Sequence, residues 1–208
     1  RFFEWFREIS DIENAQTAQF LQTILHQPKS MPPDIPLSYK LAQAQAHIQS
    51  PSLQALKQAL ATVLPEIEDI YLQYHPKLQL MVRYHGNIML YQQLSNSIRN
   101  WVALVGDIVR RLCLLNPESL FPCLEGDGVL LIDAIDHQLD QNMAQVMLKR
   151  LNQAFPRLQI IASGNRSELL EQASEFQCLK LENKQLSSIQ LEPLQHQFLS
   201  LIHISEPT

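Results

Sequence analysis

A carboxylate follows directly after a short apolar run, and this is a position where ligand chemistry is expected. Gly128 opens the segment, four apolar residues from Val129 to Ile132 follow, and Asp133 comes next. An apolar run of this length without period-two alternation is typical of a β-strand buried on both faces. Open α/β sheets bind their ligands at the carboxyl ends of such strands. Asp133 is therefore the first candidate for a site residue.

Three further polar side chains follow Asp133 and raise the alternative of a dedicated metal site. They are Asp136, His137 and Asp140. Carboxylate and imidazole groups at short spacing are known ligands of catalytic metal ions. The predicted elements oppose this interpretation, because Asp133 ends a strand whereas Asp140 lies at the N-cap or first turn of the next helix. We favour a solvated loop after the strand and keep independent metal catalysis as the alternative.

The apolar run with its terminal aspartate resembles a Walker B motif, the strand whose aspartate helps to hold the Mg²⁺ of a bound nucleotide. The order of the surrounding segments is similar to the C-terminal half of ABC-type P-loop ATPases of the RecF/SMC and AAA family ATPase group. In that group a catalytic glutamate follows the aspartate, whereas this chain has Ala134. A methyl group cannot polarise an attacking water, so the resemblance implies a degenerate catalytic position at Ala134. Binding of Mg²⁺ through Asp133 is a separate question.

Leu94 to Arg99 takes the place of the family's signature motif, L-S-[GD]-G-[EQ]-[KR]. Ser95 is kept, Ser97 replaces a glycine, and Ile98 replaces the acidic or amide residue. The resemblance implies that Ser95 and Ser97 contact the γ-phosphate of a nucleotide on a partner subunit, although the Cβ of Ser97 crowds that approach. An N-cap role for Ser95, at the start of the following helix, is an equal alternative.

The segment from Phe155 to Ser163 resembles the family's F-P-x-x-Q-x-I-V-T strand. In the family a histidine follows this strand and senses the γ-phosphate. Aligned without gaps, that position holds Asn165, between Gly164 and Arg166. Asparagine donates hydrogen bonds but carries no charge at neutral pH. The resemblance therefore implies a degenerate switch at Asn165.

The elements that must position these residues are predicted from hydrophobic periodicity. An amphipathic pattern predicts that Trp5 and Phe6 pack in a core rather than stack on bases. The predicted helices cover residues 2–26, 37–49, 51–63, 94–115, 139–154 and 169–173, and a proline-rich loop at 28–36 separates the first two. The predicted strands cover residues 70–74, 78–84, 88–92, 129–132, 155–163, 176–181 and 186–191, with a hairpin turn at 85–87.

These elements predict an α/β fold, a partial P-loop NTPase of the ABC type. A helical segment and a β hairpin lead into a signature helix and a mainly parallel sheet core. We divide the chain into a helical and antiparallel unit at 1–93, a signature, Walker B and switch lobe at 94–191, and a tail at 192–208. The end of the tail resembles a translated sequencing adapter, so we expect it to be non-native.

A P-loop is missing from this sequence. The five glycines fit no G-x-x-x-x-G-K-[ST] motif, the loop that cradles nucleotide phosphates. In the resembled family that loop lies upstream of the segments matched here. We therefore expect the chain to be a fragment of a longer ATPase.

Composition narrows the function further. The 208 residues suit one medium domain, and a net charge of −5 disfavours a broad nucleic-acid surface. No apolar run reaches the roughly 18 residues of a membrane span. Three widely separated cysteines fit reduced thiols and exclude a zinc ribbon or a disulfide framework. We expect a cytoplasmic protein without membrane contact.

The sequence thus predicts part of an ATP-binding, ABC-type ATPase domain that is weak or inactive in hydrolysis. ATP and Mg²⁺ are its implied cofactors. Its implied partner is a second ATPase lobe, in a homodimer or pair that forms through the signature motif, and nucleic acid is a partner only of the longer parent. The alternative is a non-catalytic pseudo-ATPase that serves dimerisation or partner binding.

Overall fold

The structure is a computed structural model that describes residues 2–26, 50–137, 139–172, 176–189 and 201–204. The predicted loop at 28–36 and the predicted helix at 37–49 lie outside these residues. The described α-helices are α1 (Phe2–His26), α2 (Pro51–Val63), α3 (Asn96–Leu115), α4 (Pro122–Glu125) and α5 (Gln141–Ala154). The strands are β1 (Ile67–Gln73), β2 (Gln79–Tyr84), β3 (Asn87–Leu90), β4 (Gly128–Ile132), β5 (Leu158–Gly164), β6 (Gln177–Glu182), β7 (Gln185–Ser188) and β8 (Leu201–Ile204).

One hydrophobic core joins α1, α2, α3 and α5. The apolar stripe that predicts α3 is buried along most of the helix, because residues three and four apart share one face. Trp5 and Phe6 are 9% and 0% exposed, so their predicted packing role is confirmed. None of the described helices is long and apolar enough to cross a membrane.

Strands β1, β2 and β3 form an antiparallel sheet, as the alternating pattern predicts. The turn between β2 and β3 consists of His85 and Gly86, with φ angles of 47° and 75°. A two-residue hairpin turn whose central residues both have positive φ matches the twist of the flanking strands. After β3, a 3-10 helix at Tyr91–Gln93 carries the chain to Ser95 and the start of α3.

The second sheet has the order β4-β5-β8-β6-β7. β4 and β5 pair in parallel, and the other pairings are antiparallel. Since β8 runs antiparallel to both of its neighbours, β4, β5 and β6 point in one direction. The core-facing residues of β5 are buried, among them Ile160 and Ala162. The predicted α/β fold class is confirmed.

The two faces of β4 differ in exposure. Leu130 and Ile132 are half-buried and pack against the core. Val129 and Leu131 point to the other face and are 63% and 72% exposed. The sequence predicts a strand buried on both faces, and this is wrong for the described part of the chain, because no described side chain covers Val129 and Leu131.

Two short elements differ from the sequence predictions. The predicted loop between α3 and β4 contains the one-turn helix α4, which Pro122 opens at its first position. The end of the chain, to which the pattern assigns no element, contains β8 between β5 and β6. The domain division and the non-native origin of the tail stay predictions.

Candidate functional site

The carboxyl ends of β4 and β5 lie side by side because the two strands pair in parallel. Asp133 and Ser163 are therefore neighbours. The Ser163 hydroxyl donates to Oδ1 of Asp133 over 2.6 Å and accepts from the backbone N–H of Ala134 over 2.9 Å. The Asp133 side chain is exposed, so its carboxylate can also meet a group from outside. We call residues 133–137, 139 and 163–166 the β4–β5 junction.

Ala134 holds the position that the resemblance assigns to a catalytic glutamate. Its φ angle is 50°, in the left-handed region that residues with a Cβ adopt at a cost of roughly 1–2 kcal/mol. The hydrogen bond from its backbone N–H to Ser163 holds this conformation. The side chain at this position is a methyl group, which offers neither a base nor a hydrogen-bond acceptor.

Asp136 is the residue that the sequence interpretation misplaces. We expected a solvated loop here, whereas Asp136 is 7% exposed and is the one charged side chain that is buried in the described part of the chain. Its Oδ2 accepts the backbone N–H groups of Asn165 and Arg166 over 2.7 and 2.8 Å. The amides that Asp136 binds lie 29 and 30 residues further along the chain, so the spacing of neighbouring residues does not predict its burial.

Asn165, the predicted switch position, lies at the same junction. Its side chain is exposed, while its backbone N–H is bound by Asp136. The next residue, Arg166, also donates from its guanidinium to the carbonyl of Leu139. The structure therefore brings the predicted residues Asp133, Ala134 and Asn165 together at neighbouring strand ends.

Ser95 and Ser97 lie at the N-terminus of α3, on a different part of the surface. The Ser95 hydroxyl accepts from the backbone N–H of Ile98 over 3.3 Å, so its N-cap role is confirmed. The two serines line an open cleft of about 390 Å³ between the N-termini of α3 and α5, which we call the α3–α5 cleft. The described residues that line it are Glu66, Tyr84, His85, Ser95, Ser97, Ile98, Asp140, Asn142, Met143, Val146 and Arg150.

The α3–α5 cleft combines two helix N-termini with charged groups of both signs. Asp140 caps α5, since its carboxylate accepts the backbone N–H of Met143 over 2.7 Å. On the floor, the Arg150 guanidinium lies 3.8 Å from Glu66 and donates to the carbonyl of Val63 over 3.3 Å. The partial positive charge at a helix N-terminus favours a bound anion, and at α5 the Asp140 carboxylate already fills that role.

The structure does not bring all five predicted site residues together. Of the described residues that line the α3–α5 cleft, none is Asp133, Ala134 or Asn165. The two regions are connected through the loop that leaves β4 at Asp133 and enters α5 at Asp140.

The oxygen ligands at the junction fit one Mg²⁺ that also binds phosphate oxygens. They do not fit a metal site whose ligands all come from the protein. Mg²⁺ in nucleotide sites is held by one or two carboxylates or hydroxyls together with phosphate oxygens, and Asp133 and Ser163 offer such oxygens. The alternative metal set is separated, because Asp136 binds backbone amides and Asp140 caps α5. Within the described residues, no group of three or more His, Cys, Asp or Glu side chains could hold a metal ion.

The cysteines offer no nucleophile. Burial, with a smaller contribution from neighbouring Cys113, raises the pKa of Cys123 to about 12. Burial also raises the pKa of Cys113 and of Cys178 above the ordinary value for a thiol. Thiols with raised pKa values stay protonated at neutral pH and are poor nucleophiles.

Curated proteins similar to this chain include two that are named retron probable ATPases. The chain is 28% identical over 212 residues to the retron Ec83 probable ATPase of Escherichia coli, covering 88% of this chain and 39% of that protein. It is 27% identical over 197 residues to the retron Vc95 probable ATPase of Vibrio cholerae serotype O1 biovar El Tor, covering 88% and 38%. The chain thus spans about two fifths of the length of these relatives. No protein-family model matches it.

Two solved structures are similar in part. One is an SMC ATPase studied for ATP-driven dimerization and DNA-stimulated activation, with a TM-score of 0.48, 14% identity, and coverage of 67% of this chain and 84% of that one. The other is an SMC head bound to the C-terminal winged-helix domain of ScpA, with a TM-score of 0.45, 12% identity, and coverage of 75% and 47%. Both scores are low, so the relationship rests on the sequence relatives. The predicted relationship to ATPases is confirmed, since both sequence relatives are named probable ATPases.

Proposed function

We propose that this chain is the signature and Walker B half of an ABC-type ATPase domain that binds ATP with Mg²⁺ and hydrolyses it weakly or not at all. The observation that carries the proposal is the β4–β5 junction, where Asp133 stands exposed at a strand end and Ala134 follows it. A metal-binding carboxylate is kept, while the position of the catalytic carboxylate holds a methyl group.

In this proposal Asp133 contributes an oxygen ligand to Mg²⁺, and Ser163 fixes the orientation of that carboxylate through its 2.6 Å hydrogen bond. Bound Mg²⁺ neutralises charge on the phosphate oxygens. Ser95 and Ser97 contribute hydroxyl groups to the terminal phosphate of a nucleotide held by another lobe. The described lining of the α3–α5 cleft includes none of Asp133, Ala134 and Asn165, which supports this division between two lobes.

Weak hydrolysis follows from two side chains. Ala134 cannot take a proton from the attacking water or orient it, and such a base contributes about 10²- to 10⁴-fold to a rate. Asn165 is exposed at the junction and can hydrogen bond to phosphate, but it cannot provide the positive charge that a protonated histidine would. Nucleotide binding needs neither function.

The partner in this proposal is a second ATPase lobe, which is a second copy of the chain in the simplest case. Nucleic acid is a partner only of a longer polypeptide that contains this chain. We place the protein in the cytoplasm, since its three cysteines are free and form no disulfide.

A second candidate is a pseudo-ATPase that keeps the fold for dimerisation or partner binding and binds no nucleotide. This candidate is favoured because Ala134, Ser97 and Asn165 all differ from the residues that the resembled family has at these positions. Loss at three functional positions indicates relaxed selection on hydrolysis. The two candidates differ in one property, the binding of Mg·ATP.

The test compares the wild type with Ala134→Glu in a longer polypeptide that contains both this chain and a P-loop. Nucleotide binding is read from thermal stabilisation by Mg·ATP, because a ligand that binds only the folded state raises Tm. Turnover is read from phosphate release. Ala134→Gln, which is of equal size but cannot act as a base, is the matched control.

We expect the wild type and both variants to bind Mg·ATP, with phosphate release rising by at least about 100-fold in Ala134→Glu alone. If all three proteins bind Mg·ATP and Ala134→Glu stays inactive, the alanine at position 134 is not the cause of weak hydrolysis. If none binds, the nucleotide proposal fails and the pseudo-ATPase candidate replaces it.

A further inference from the structure

The strongest unassigned feature is an exposed apolar patch where α3 ends and α4 begins. Its large side chains are 40% to 74% exposed, whereas soluble proteins commonly expose such residues singly. We call this group the α3–α4 patch, which consists of Leu114, Leu115, Leu120, Phe121 and Leu124. It shares no residue with the β4–β5 junction or with the described lining of the α3–α5 cleft, so neither region accounts for it.

The ends of α3 and α4 pack directly against each other, and this keeps the patch together. The backbone N–H of Ser119 donates to the carbonyl of Asn116, which closes a turn immediately after α3. A Cβ added at Gly126, the residue that ends α4, would lie 2.8 Å from Nδ2 of Asn116 and 2.8 Å from Cδ2 of Leu112. The exposed side chains therefore stand on one packed surface and not on separate loops.

A hollow of about 60 Å³ lies between the patch and α2. Leu120, Phe121 and Leu124 line it together with Ala55 and Ala59 of α2. Since one water needs about 10–15 Å³, the hollow has room for about four heavy atoms, the side chain of one leucine. An apolar pocket with a polar rim is the arrangement of a protein-docking site. The polar residues of the described lining include three exposed glutamines, which are Gln54, Gln58 and Gln153.

The free charges beside the patch are acidic. Glu118 and Glu125 are exposed, and within the described part of the chain neither belongs to an ion pair. The neighbouring cations are already paired, Arg157 with Asp127 and Arg111 with a carboxylate of α3. An occupant of the patch therefore meets an apolar centre with two available carboxylates beside it.

These charges decide which occupant fits. In a symmetric dimer the same surface meets itself, so the acidic edge of one copy would approach that of the other, and like charges in contact disfavour binding. An anionic membrane surface is disfavoured for the same reason. A partner with apolar side chains beside lysines or arginines satisfies both the patch and the carboxylates. An amphipathic helix has this arrangement, because an apolar stripe on it is bordered by charged residues.

We propose that the α3–α4 patch docks an amphipathic helix of another protein, with basic residues beside the apolar face of that helix. One leucine-sized side chain enters the hollow lined by Leu120 and Leu124, and the lysines or arginines approach Glu118 and Glu125. This interaction needs no nucleotide, so it does not depend on the proposed function.

The test uses two synthetic peptides of about 18 residues, long enough to form several helical turns. Both have leucine at helical positions i, i+3, i+4 and i+7, and the other positions hold alanine with lysine in one peptide and alanine with glutamate in the other. Fluorescence anisotropy measures their binding to a longer polypeptide that contains this chain. Leu120→Ser and Glu118→Lys change the patch. Their matched controls are Leu186→Ser and Glu8→Lys, at exposed positions of β7 and α1.

We expect the wild type to bind the lysine peptide at least about tenfold more tightly than the glutamate peptide. Leu120→Ser should weaken binding of the lysine peptide by about tenfold or more, as expected for the loss of one buried leucine contact. Glu118→Lys should weaken it by about threefold or more. The controls should change Kd by less than about twofold. Both patch residues are exposed, so Tm should stay unchanged.

The inference is overturned if both peptides bind equally or if neither binds, because the occupant is then not a basic helix. It is also overturned if Leu120→Ser and Leu186→Ser weaken the lysine peptide equally, since the peptide then binds outside the patch. Sedimentation tests the remaining occupant. If the wild type is a dimer that Leu120→Ser dissociates and Leu186→Ser does not, a second copy occupies the patch and the inference is wrong.

Discussion

The β4–β5 junction and the α3–α5 cleft use similar polar groups in opposite ways. At the junction, the Ser163 hydroxyl and the Asp136 carboxylate each accept a backbone N–H group, and Ser163 also donates to Asp133. Most of these polar atoms therefore bind the protein itself. In the cleft, Ser95 and Asp140 each satisfy one helix N–H, and about 390 Å³ of space stays open beside them. The buried polar groups of the junction hold its loops in place and leave Asp133, His137 and Asn165 exposed, whereas the cleft has open space beside its two helix caps.

The largest effect that tests this contrast is expected from Gly164→Ala at the junction. The added Cβ would meet the buried Leu169 and press on Asp136, so one of them must move. Overpacking of this kind costs typically 1–3 kcal/mol, and we expect a loss of about 2 kcal/mol in the free energy of unfolding. Urea denaturation followed by circular dichroism measures it.

Ser167→Ala is the matched control for that prediction, because Ser167 is exposed in the 3-10 helix that follows the junction. Its loss should lie within about 0.5 kcal/mol. If Gly164→Ala and Ser167→Ala are equally stable, the loops of the junction are not tightly packed. The junction would then not differ from the α3–α5 cleft in this respect.

An intermediate effect is expected from removal of the two helix caps in the cleft. Asp140→Ala should cost about 1–2 kcal/mol, since its carboxylate accepts over 2.7 Å and also carries a charge that the helix dipole favours. Ser95→Ala should cost only about 0.5 kcal/mol, because its hydrogen bond is 3.3 Å long. Thermal or urea unfolding measures both.

The controls for the caps are Asp140→Asn and Ser95→Asp, which keep a capping oxygen. Both should retain most of the stability. If Ser95→Ala instead costs as much as Asp140→Ala, then Ser95 is a strong structural cap. Its availability to an outside phosphate would then be reduced.

The smallest effect, and one of opposite sign, is expected from Ala134→Gly at the junction. Glycine adopts a φ angle of 50° without steric cost, although its unfolded state has more conformational freedom. The net result should be a gain of about 0.5 kcal/mol. Ala61→Gly, exposed in the last turn of α2, is the control and should cost about 0.5 kcal/mol. A loss in both variants would remove the argument that Ala134 is strained.

The elements around the site could largely be predicted because their signals are local. The apolar stripe of α3, the alternation in β2 and the glycine after His85 each reflect contacts within a few residues. The same holds for Ser95 and Asp140 as helix caps. Asp133 could be placed at a strand end because the apolar run before it stops abruptly.

The features that could not be predicted depend on residues far apart in the chain. Asp136 is buried only because the amides of Asn165 and Arg166 come to it from another strand. The exposed face of β4 depends on what packs there, which the run from Val129 to Ile132 does not encode. Likewise, β8 is a strand through its pairing with β5 and β6, not through its own pattern.

The exposed face of β4 has a practical consequence for work with this polypeptide. In the described part of the chain β4 pairs with β5 alone, so it is an edge strand, and Val129 and Leu131 make that edge apolar. Unprotected apolar edges promote strand pairing between molecules and aggregation. Charged substitutions such as Val129→Lys and Leu131→Glu should therefore improve solubility during purification without touching the junction. Any self-association that these substitutions abolish is edge pairing and should not be counted as the functional dimer.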